Sequence, residues 1–351
     1  MSAELARLWT YFADTSCGEY SPLYDRICRA VASDDDVLRL VGEAPPEGRL
    51  PNVLLAAVHF LLLSGLDHPL AAVYAGESAA DPGPLFVDVC LTQRGRVLDL
   101  LSTRHTNTNE VGRSALLGPA LSYVAAELGE PLGLIDVGCS AGLNLLCDRY
   151  LLDYGAAGVT GPRDARVRIS CDAAGGRPPI APTLPPIGAR VGLDLDPVDA
   201  GDPDEERWLL ACVWPGTGRL TRTRLALEEV RRAPPDLVRG DAVEAVTDIV
   251  LGLADEVVPV VTTTWALAFM TQETRVAFRE VLATASRKRS IAWISAEGPG
   301  VVDRFGDVAT PSDPQGMTPS VLGLVVFRNG ELEATLLGLV HPHGAWIDWR
   351  A

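Results

Sequence analysis

Leu134–Leu146, LIDVGCSAGLNLL, decides how this chain is read. An apolar run, Leu134–Val137, carries a single acid, Asp136, and ends in the Gly-x-Ser-x-Gly turn Gly138–Gly142. Beyond the turn, Leu143, Leu145, Leu146 and Tyr150 recur at helical spacing. A strand, a tight turn and a helix are therefore expected. That shape serves two chemistries. In one, backbone N–H groups and a helix N-terminus meet a nucleotide-like cofactor. In the other, Ser140 is a nucleophile exposed on a strained elbow.

Downstream, strands and helices alternate. Gly155–Arg190 is dense in Pro and Gly and reads mostly as an inserted loop with a short strand-like run, Val167–Cys171. Ala189–Pro197, ARVGLDLDP, reads as a buried strand ending in acids, and Asp236–Ala242, DLVRGDA, as a short strand and turn. Val257–Thr264 is a β-branched strand, Thr271–Ser286 a helix with Phe278 and Leu282 inward, and Ser290–Ala296 a further strand. Such alternation implies a parallel sheet. Val321–Phe327 and Leu332–Val340 are joined through Asn329-Gly330, the strongest short hairpin signal, so the sheet is expected to end in an antiparallel pair.

Upstream, residues 3–128 read as mostly helical, with stripes at Leu5, Leu8, Trp9, Phe12 and at Leu23, Ile27, Ala30, Val31, and an apolar helix over Asn52–Leu63. Phe86–Leu91 fits a strand or a buried helix equally. The polar segment Thr103–Arg113, TRHTNTNEVGR, leads into a helix, Ser114–Leu128. Either it is an elaborate helix cap built on Glu110, or a ligand loop containing Thr106, Asn107, Asn109, Glu110 and Arg113. The domain reading is a helical portion, 1–128, covering the substrate side, followed by an α/β domain, 129–351.

Composition narrows the partners. At 351 residues the chain has room for a substantial core, and its net charge of −16 argues against a phosphate-backbone partner and is easier to reconcile with a neutral or cationic small molecule or another protein, of which a small-molecule substrate is the expected one. Seven cysteines form no C-x-x-C pair, which suggests neither a disulfide framework nor a zinc knuckle and makes a reducing cytoplasm the default. The longest apolar run, Val53–Leu63, is interrupted by His59 and too short for a bilayer, so no membrane partner is expected. Nothing in the pattern fixes an oligomeric state.

From Leu134 onward the order of acids and turns resembles the class I S-adenosylmethionine-dependent methyltransferases: Asp136 in the first strand, the glycine turn, Asp194 ending the next strand, and Gly240-Asp241-Ala242 after the third. The resemblance implies a doubly wound, Rossmann-like, mostly parallel sheet and an S-adenosylmethionine cofactor. It further implies that Asp136 and Asn144 are among the cofactor-binding residues, and that the turn Gly138, Ser140 and Gly142 lies at the methionine part, Asp194 at the ribose diol, and Asp241 with Ala242 at the adenine. Carboxylates suit the last two roles, because a diol and an exocyclic amine are donors. The chain departs from the family in having Ser140 where a second glycine is usual, and in the long interval from Asp136 to Asp194. Either Gly155–Arg190 is an insertion or Asp172 is the ribose acid. Thr262-Thr263-Thr264-Trp265 lacks the Asn-Pro-Pro-Tyr type of motif, so nucleobase methylation is not expected. The whole chain also resembles a family of bacterial proteins known only as a domain of unknown function, through TNTNEVGR (106–113), VGCSAGLNLLCDRY (137–150), GLDLDP (192–197), VRGDA (238–242), WISAEGPG (293–300) and HPHGAWIDW (341–349).

The expected activity is methyl transfer to a small molecule, with Glu110, Glu297 and His341 as candidate bases and Thr106, Asn107, Asn109, Arg113, Trp265 and His343 as candidate substrate contacts. Two alternatives stand beside it. One is a module that binds an adenosyl ligand or a protein without catalysis. The other is a serine hydrolase using Ser140 and His341, against which stand the helical residues before the turn and the lack of an HGGG-type oxyanion segment. His341 and His343 lack the neighbouring Cys or carboxylate set of a metal site, so no metal is expected.

Overall fold

The computed structural model describes residues 2–18, 20–306, 308–313 and 317–351, which divide into two compact units. The first takes the described residues up to Thr108 together with Asp199–Arg224. It is built from α1 (Ser2–Phe12), α2 (Pro22–Ala32), α3 (Asp35–Glu43), α4 (Pro51–Leu63), α5 (Leu70–Tyr74), α6 (Pro82–Thr92) and α7 (Arg94–Thr103), with α9 (Pro203–Ala211). Several starts are written in the sequence. Asp34 accepts from the amides of Asp36 and Val37 at 3.0 and 2.9 Å, Asp81 accepts from Gly83 at 3.1 Å, and Pro22, Pro51 and Pro82 fill first-turn positions where the missing N–H has no helical partner. The same Asp81-Pro82 start settles Phe86–Leu91 as part of helix α6. α4 is apolar nearly all round, and Val53, Leu54, Leu55, Val58 and Leu61 join Ile27, Val37, Val97 and Trp208 in one core. His59 lies inside that helix with Nδ1 3.1 Å from the Ala211 carbonyl, and burial pushes its imidazole down to about 4, which makes it a neutral core residue.

The second unit holds Asn109–Val198, Leu225–Asp313 and Met317–Ala351. It therefore contains α8 (Ser114–Leu128), which the sequence reading assigned to the helical portion; α10 (Arg219–Arg232) passes from the first unit into the second. The strands in chain order are β1 (Leu132–Val137), β2 (Leu151–Asp153), β3 (Val159–Thr160), β4 (Arg168–Ser170), β5 (Asp172–Gly175), β6 (Ile187–Asp194), β7 (Asp236–Arg239), β8 (Val258–Thr264), β9 (Ile291–Glu297), β10 (Ser320–Arg328), β11 (Glu331–Val340) and β12 (Trp346–Trp349). They form a mixed α/β architecture around a nine-stranded sheet of order β5-β12-β11-β10-β9-β8-β1-β6-β7 and a small sheet β3-β2-β4. The β7-β6-β1-β8-β9 stretch is parallel; β10 and β11 are antiparallel, with Arg328 paired to Glu331 across Asn329 (φ 55°) and Gly330 (φ 89°), both left-handed as a primed hairpin turn requires.

Strand alternation sorts the side chains by face. Ile135, Val137, Leu193, Val261, Trp293 and Val325 form one core with Val246 and Val250 of α11 (Ala242–Gly252) and Phe278 and Leu282 of α12 (Gln272–Ala285). Phe278 and Leu282 are fully buried, which contributes about 2–3 kcal/mol each to the docking of α12.

Two sequence expectations are corrected here. The segment after the glycine turn is not an α-helix: Leu143–Arg149 is a short 3-10 run broken at Leu146 (φ −102°, ψ 20°). Side chains take the carbonyls that a helix would use. The Tyr150 hydroxyl donates to Leu143 O at 2.7 Å and Arg190 Nε donates to Leu145 O at 3.1 Å. Gly155–Arg190 is likewise more than a loop. It supplies β3 and β4 to the small sheet and β5 to the far edge of the large one, where Asp172 pairs with Trp346. Asp172 is thus removed from the β1 turn, and the acid beside that turn is Asp194.

Candidate functional site

The glycine turn is shaped by close packing and by bonds to its own chain. Gly138 has φ +75°, and a Cβ there would stand 2.7 Å from Ala266 Cβ, so only glycine lets the turn after β1 approach the turn after β8. A Cβ on Gly142 would meet Pro235 Cγ at 2.8 Å. Between them Ser140 has φ +52°, a left-handed conformation that costs a non-glycine residue about 1–2 kcal/mol. The amides turn inward. Gly138 N donates to Leu193 O at 2.8 Å, Ser140 N to Asp194 Oδ2 at 2.8 Å, Gly142 N to Cys139 O at 2.8 Å and Leu143 N to Asn109 Oδ1 at 3.1 Å. Asn109 also donates from Nδ2 to Cys139 O at 2.9 Å and so braces both ends of the turn. The Ser140 hydroxyl is buried and has no hydrogen-bond partner among the described residues.

Charged groups collect at the carboxyl ends of β1, β8 and β9. Asp136 is buried and accepts from Thr262 Oγ1 at 2.8 Å; burial pushes its carboxyl up to about 7, against the pull of that bond and of Arg113, while Asp194 pushes the same way as burial. Glu297 ends β9. Its Oε1 accepts from the amides of Ala266 and Leu267 at 3.0 and 3.1 Å, whereas Oε2 is buried without a partner among the described residues. Burial raises this carboxyl to about 7 as well. Arg113 is 4% exposed; its guanidinium donates to Thr264 O at 2.8 Å and Pro342 O at 3.0 Å, and its charge acts on both Asp136 and Glu297.

The remaining candidates fall around this centre or away from it. Glu110 caps the turn before α8, with Oε1 accepting from Gly112 N at 2.8 Å and Oε2 3.9 Å from His343 Nδ1. His341 accepts from His343 N on Nδ1 at 3.0 Å, and its Nε2 lies 3.9 Å from Asp313 Oδ2. Trp265 sits just past β8 with φ +59° and donates from Nε1 to Ser320 Oγ at 2.8 Å. Asn144 accepts from Ser114 Oγ at 2.8 Å. Asp241 is the N-cap of α11, taking the amides of Val243 and Glu244 at 2.8 and 3.3 Å, with Ala242 buried behind it. Thr106 and Asn107 belong to the first unit, so the polar segment 103–113 is divided between the two units and serves largely as a brace and cap.

The sequence reading overlooked Thr262, Ser114 and Asp313. A run of three threonines inside a buried strand was the available signal for Thr262, since a buried hydroxyl needs a partner. Ser140 Oγ holds no bond to His341, and no strand precedes β1 among the described residues, so the contact a serine hydrolase depends on is missing from this arrangement. Among those residues, no group of His, Cys, Asp and Glu converges as a metal site, and no helix is long and apolar enough to cross a membrane. What the site offers is two buried acceptors, Asp136 and Glu297, on which one guanidinium acts, with the half-buried Asp194 on the turn after β1. Such a set suits a ligand rich in donors or carrying positive charge.

Comparison with known proteins adds a family without an activity. Residues 6–349 match the family described as "Uncharacterized protein conserved in bacteria (DUF2332)". No curated protein matches the chain.

Proposed function

The chain belongs to that bacterial family, and from the site itself we propose that it binds S-adenosylmethionine at the carboxyl ends of β1, β6 and β7 and transfers the methyl group to a small-molecule acceptor. One observation carries this reading. In the parallel stretch β7-β6-β1-β8-β9 the chain order runs third, second, first, fourth, fifth, as in a Rossmann-like half, and Asp194 lies against Ser140 beside the point where that order reverses. Ligands of open parallel sheets bind in the crevice at this point.

The residues present fit the group. Asp194 holds the ribose diol with the lone pairs left by Ser140 N and Asp196 N, and the adenine amino group goes to Asp241, whose Oδ1 caps α11. The orphaned Ser140 hydroxyl and Asn144 serve the methionine end, with Asp136 behind them. S-adenosylmethionine supplies a methyl group already activated on a sulfonium. The chain contributes alignment of the acceptor and exclusion of water. Glu297 takes the acceptor's proton on Oε2, the one oxygen of the three candidate bases that the described residues leave open and buried. Glu110, His341, His343, Asn109, Arg113 and Trp265 line the acceptor side, Arg113 by holding the ends of β8 and of the 341–343 turn together.

A second reading, a non-catalytic adenosyl-binding or protein-binding module, draws on the inward-turned amides of residues 138–143 and on the missing helix N-terminus after them. Methyl-labelled S-adenosylmethionine incubated with a panel of small acceptors separates the two: label moving to an acceptor supports transfer, and label retained by the cofactor with every acceptor, while the demethylated product still binds, supports the module.

A further inference from the structure

Cys17 and Cys28 place their sulfurs 3.9 Å apart in the core of the first unit, with 1% and 0% of each residue exposed. The chain brings them together in two steps. Ala13–Cys17 continues α1 as a π turn, closed where Gly18 N donates to Ala13 O at 3.1 Å, and this wider turn carries Cys17 into the core that α2 faces. Ser21 then fixes the entry to α2: its amide donates to Cys17 O at 2.9 Å and its hydroxyl accepts from Tyr24 N at 3.4 Å. Cys28 consequently lies among the buried Tyr24, Ile27 and Val31 of α2. The segment between the two sulfurs is short and pinned at Ser21, so a bond between them closes a small loop.

Contact and burial set what this pair can do. The hydrogen bond with Cys17, and behind it burial, push the Cys28 thiol well up, so Cys28 keeps its proton and is not the first nucleophile. Bulky thiols and disulfides do not reach sulfurs inside a packed core, whereas hydrogen peroxide is little larger than water. A disulfide holds its sulfurs about 2.0 Å apart, so the pair has about 1.9 Å to close from its 3.9 Å contact. The other cysteines, Cys90, Cys139, Cys147, Cys171 and Cys212, are free thiols, and proximity is what singles out Cys17 and Cys28.

We propose that Cys17 and Cys28 are an oxidation latch, in which a peroxide converts the sulfur contact into a disulfide that ties the turn after α1 to α2. Cys17 gives its proton to water and its sulfur attacks one peroxide oxygen. The O–O bond breaks, the departing hydroxide takes up that proton as the first water, and Cys17 is left as a sulfenic acid. The Cys28 sulfur then attacks the Cys17 sulfur, the S–O bond breaks, and the hydroxide leaves with the Cys28 proton as the second water. Two thiols and one peroxide give one disulfide and two waters. Both sulfurs lie in the first unit, so the latch is independent of the methyl-donor reading.

The test is titration of the reduced full chain with hydrogen peroxide, quenched with N-ethylmaleimide in urea and mapped by tryptic mass spectrometry. Two of the seven thiols are expected to disappear, with the intact mass lower by about 2 Da and residues 8–26 joined to 27–29 through a reducible bond. The oxidised chain is expected to melt about 3 °C or more above the reduced one. Cys28→Ala is expected to leave Cys17 as a sulfenic acid that dimedone labels, and Cys17→Ala to leave Cys28 unlabelled. A bond from either cysteine to Cys90 or Cys212, sulfinic acids in place of a bond, or a folded chain that keeps all its thiols at a peroxide dose that oxidises the urea-unfolded chain overturns the proposal. An unchanged melting temperature overturns the latching role, and dimedone on Cys28 in Cys17→Ala overturns the order of the two sulfurs. The peptide map is read on the parent chain, so its result stands if a variant fails to fold.

Discussion

Asp194 Oδ2 accepts the amide hydrogen of Ser140 at 2.8 Å, tying the end of β6 to the turn after β1. One carboxylate thereby shapes the turn and, in the proposed function, holds the ribose. Both roles are open to the same substitution. Asp194→Ala leaves the Ser140 amide without its acceptor and is expected to cost about 1–3 kcal/mol in urea unfolding, with S-adenosylhomocysteine affinity falling at least about tenfold. Asp194→Asn keeps an acceptor and is expected to recover most of the stability but not the affinity. Equal affinity in all three proteins contradicts the ribose assignment.

Gly138→Ala and Ser140→Ala separate packing from ligand contact. The first puts a methyl 2.7 Å from Ala266 Cβ at a positive φ and is expected to destabilise by about 2–4 kcal/mol. The second removes a hydroxyl that has no partner among the described residues, so thermal unfolding is expected to stay within about 1 kcal/mol of the parent or improve. A large loss of stability in Ser140→Ala shows that the hydroxyl serves the fold instead.

Asp136 and its pH dependence follow from burial. Its carboxyl is raised to about 7 in the folded chain, so the proton is bound more tightly there than in the unfolded chain. The associated stability is full below about pH 4 and is lost as pH climbs through 7. Asp136→Asn keeps an oxygen for Thr262 Oγ1 and cannot ionise. At pH 8 it is expected to exceed the parent's stability by on the order of 2 kcal/mol, the difference vanishing near pH 4; denaturant titrations at the two pH values check this. A difference independent of pH rules out the ionisation of Asp136 as its source.

Arg113 holds the carbonyls of Thr264 and Pro342 at 2.8 and 3.0 Å from within the core. Arg113→Leu strands both and removes the positive charge that moderates Asp136 and Glu297. An expected loss of about 3–5 kcal/mol in unfolding free energy is accompanied by a further rise of both carboxyls, visible as protonated-carboxyl infrared bands persisting to higher pH. Bands that titrate as in the parent contradict the electrostatic link.

Much of the fold was legible because periodicity and punctuation agreed. Val257–Thr264 and Ser290–Ala296 read as strands because each is a short β-branched or apolar run between breakers, and both sit at the centre of the sheet. Asn329-Gly330 named its own hairpin, whereas Phe86–Leu91 stayed open between strand and helix in the sequence and is settled by the Asp81 cap. Leu143–Arg149 misled the reading because Leu143, Leu145 and Leu146 are apolar for burial in a compact 3-10 run, and the groups that stop a helix there, Tyr150 and Arg190, act through side chains from outside it. Partnerships at long separation were equally invisible: the Asp136–Thr262 bond depends on strand register, and Asn109's brace on the β1 turn depends on tertiary packing. The site residues near the turn could be guessed from composition, but that Asp194, not Asp172, stands beside Ser140 required the order of the strands.

The central claim is that the carboxyl ends of β1, β6 and β7, beside the point where the strand order reverses, receive an adenosyl ligand, and calorimetric titration of the full chain with S-adenosylmethionine and S-adenosylhomocysteine tests it most directly. The account predicts saturable one-to-one binding of both, weakened together by Asp194→Ala and by Asp241→Ala. No heat of binding from either ligand, with the chain folded by circular dichroism, contradicts it.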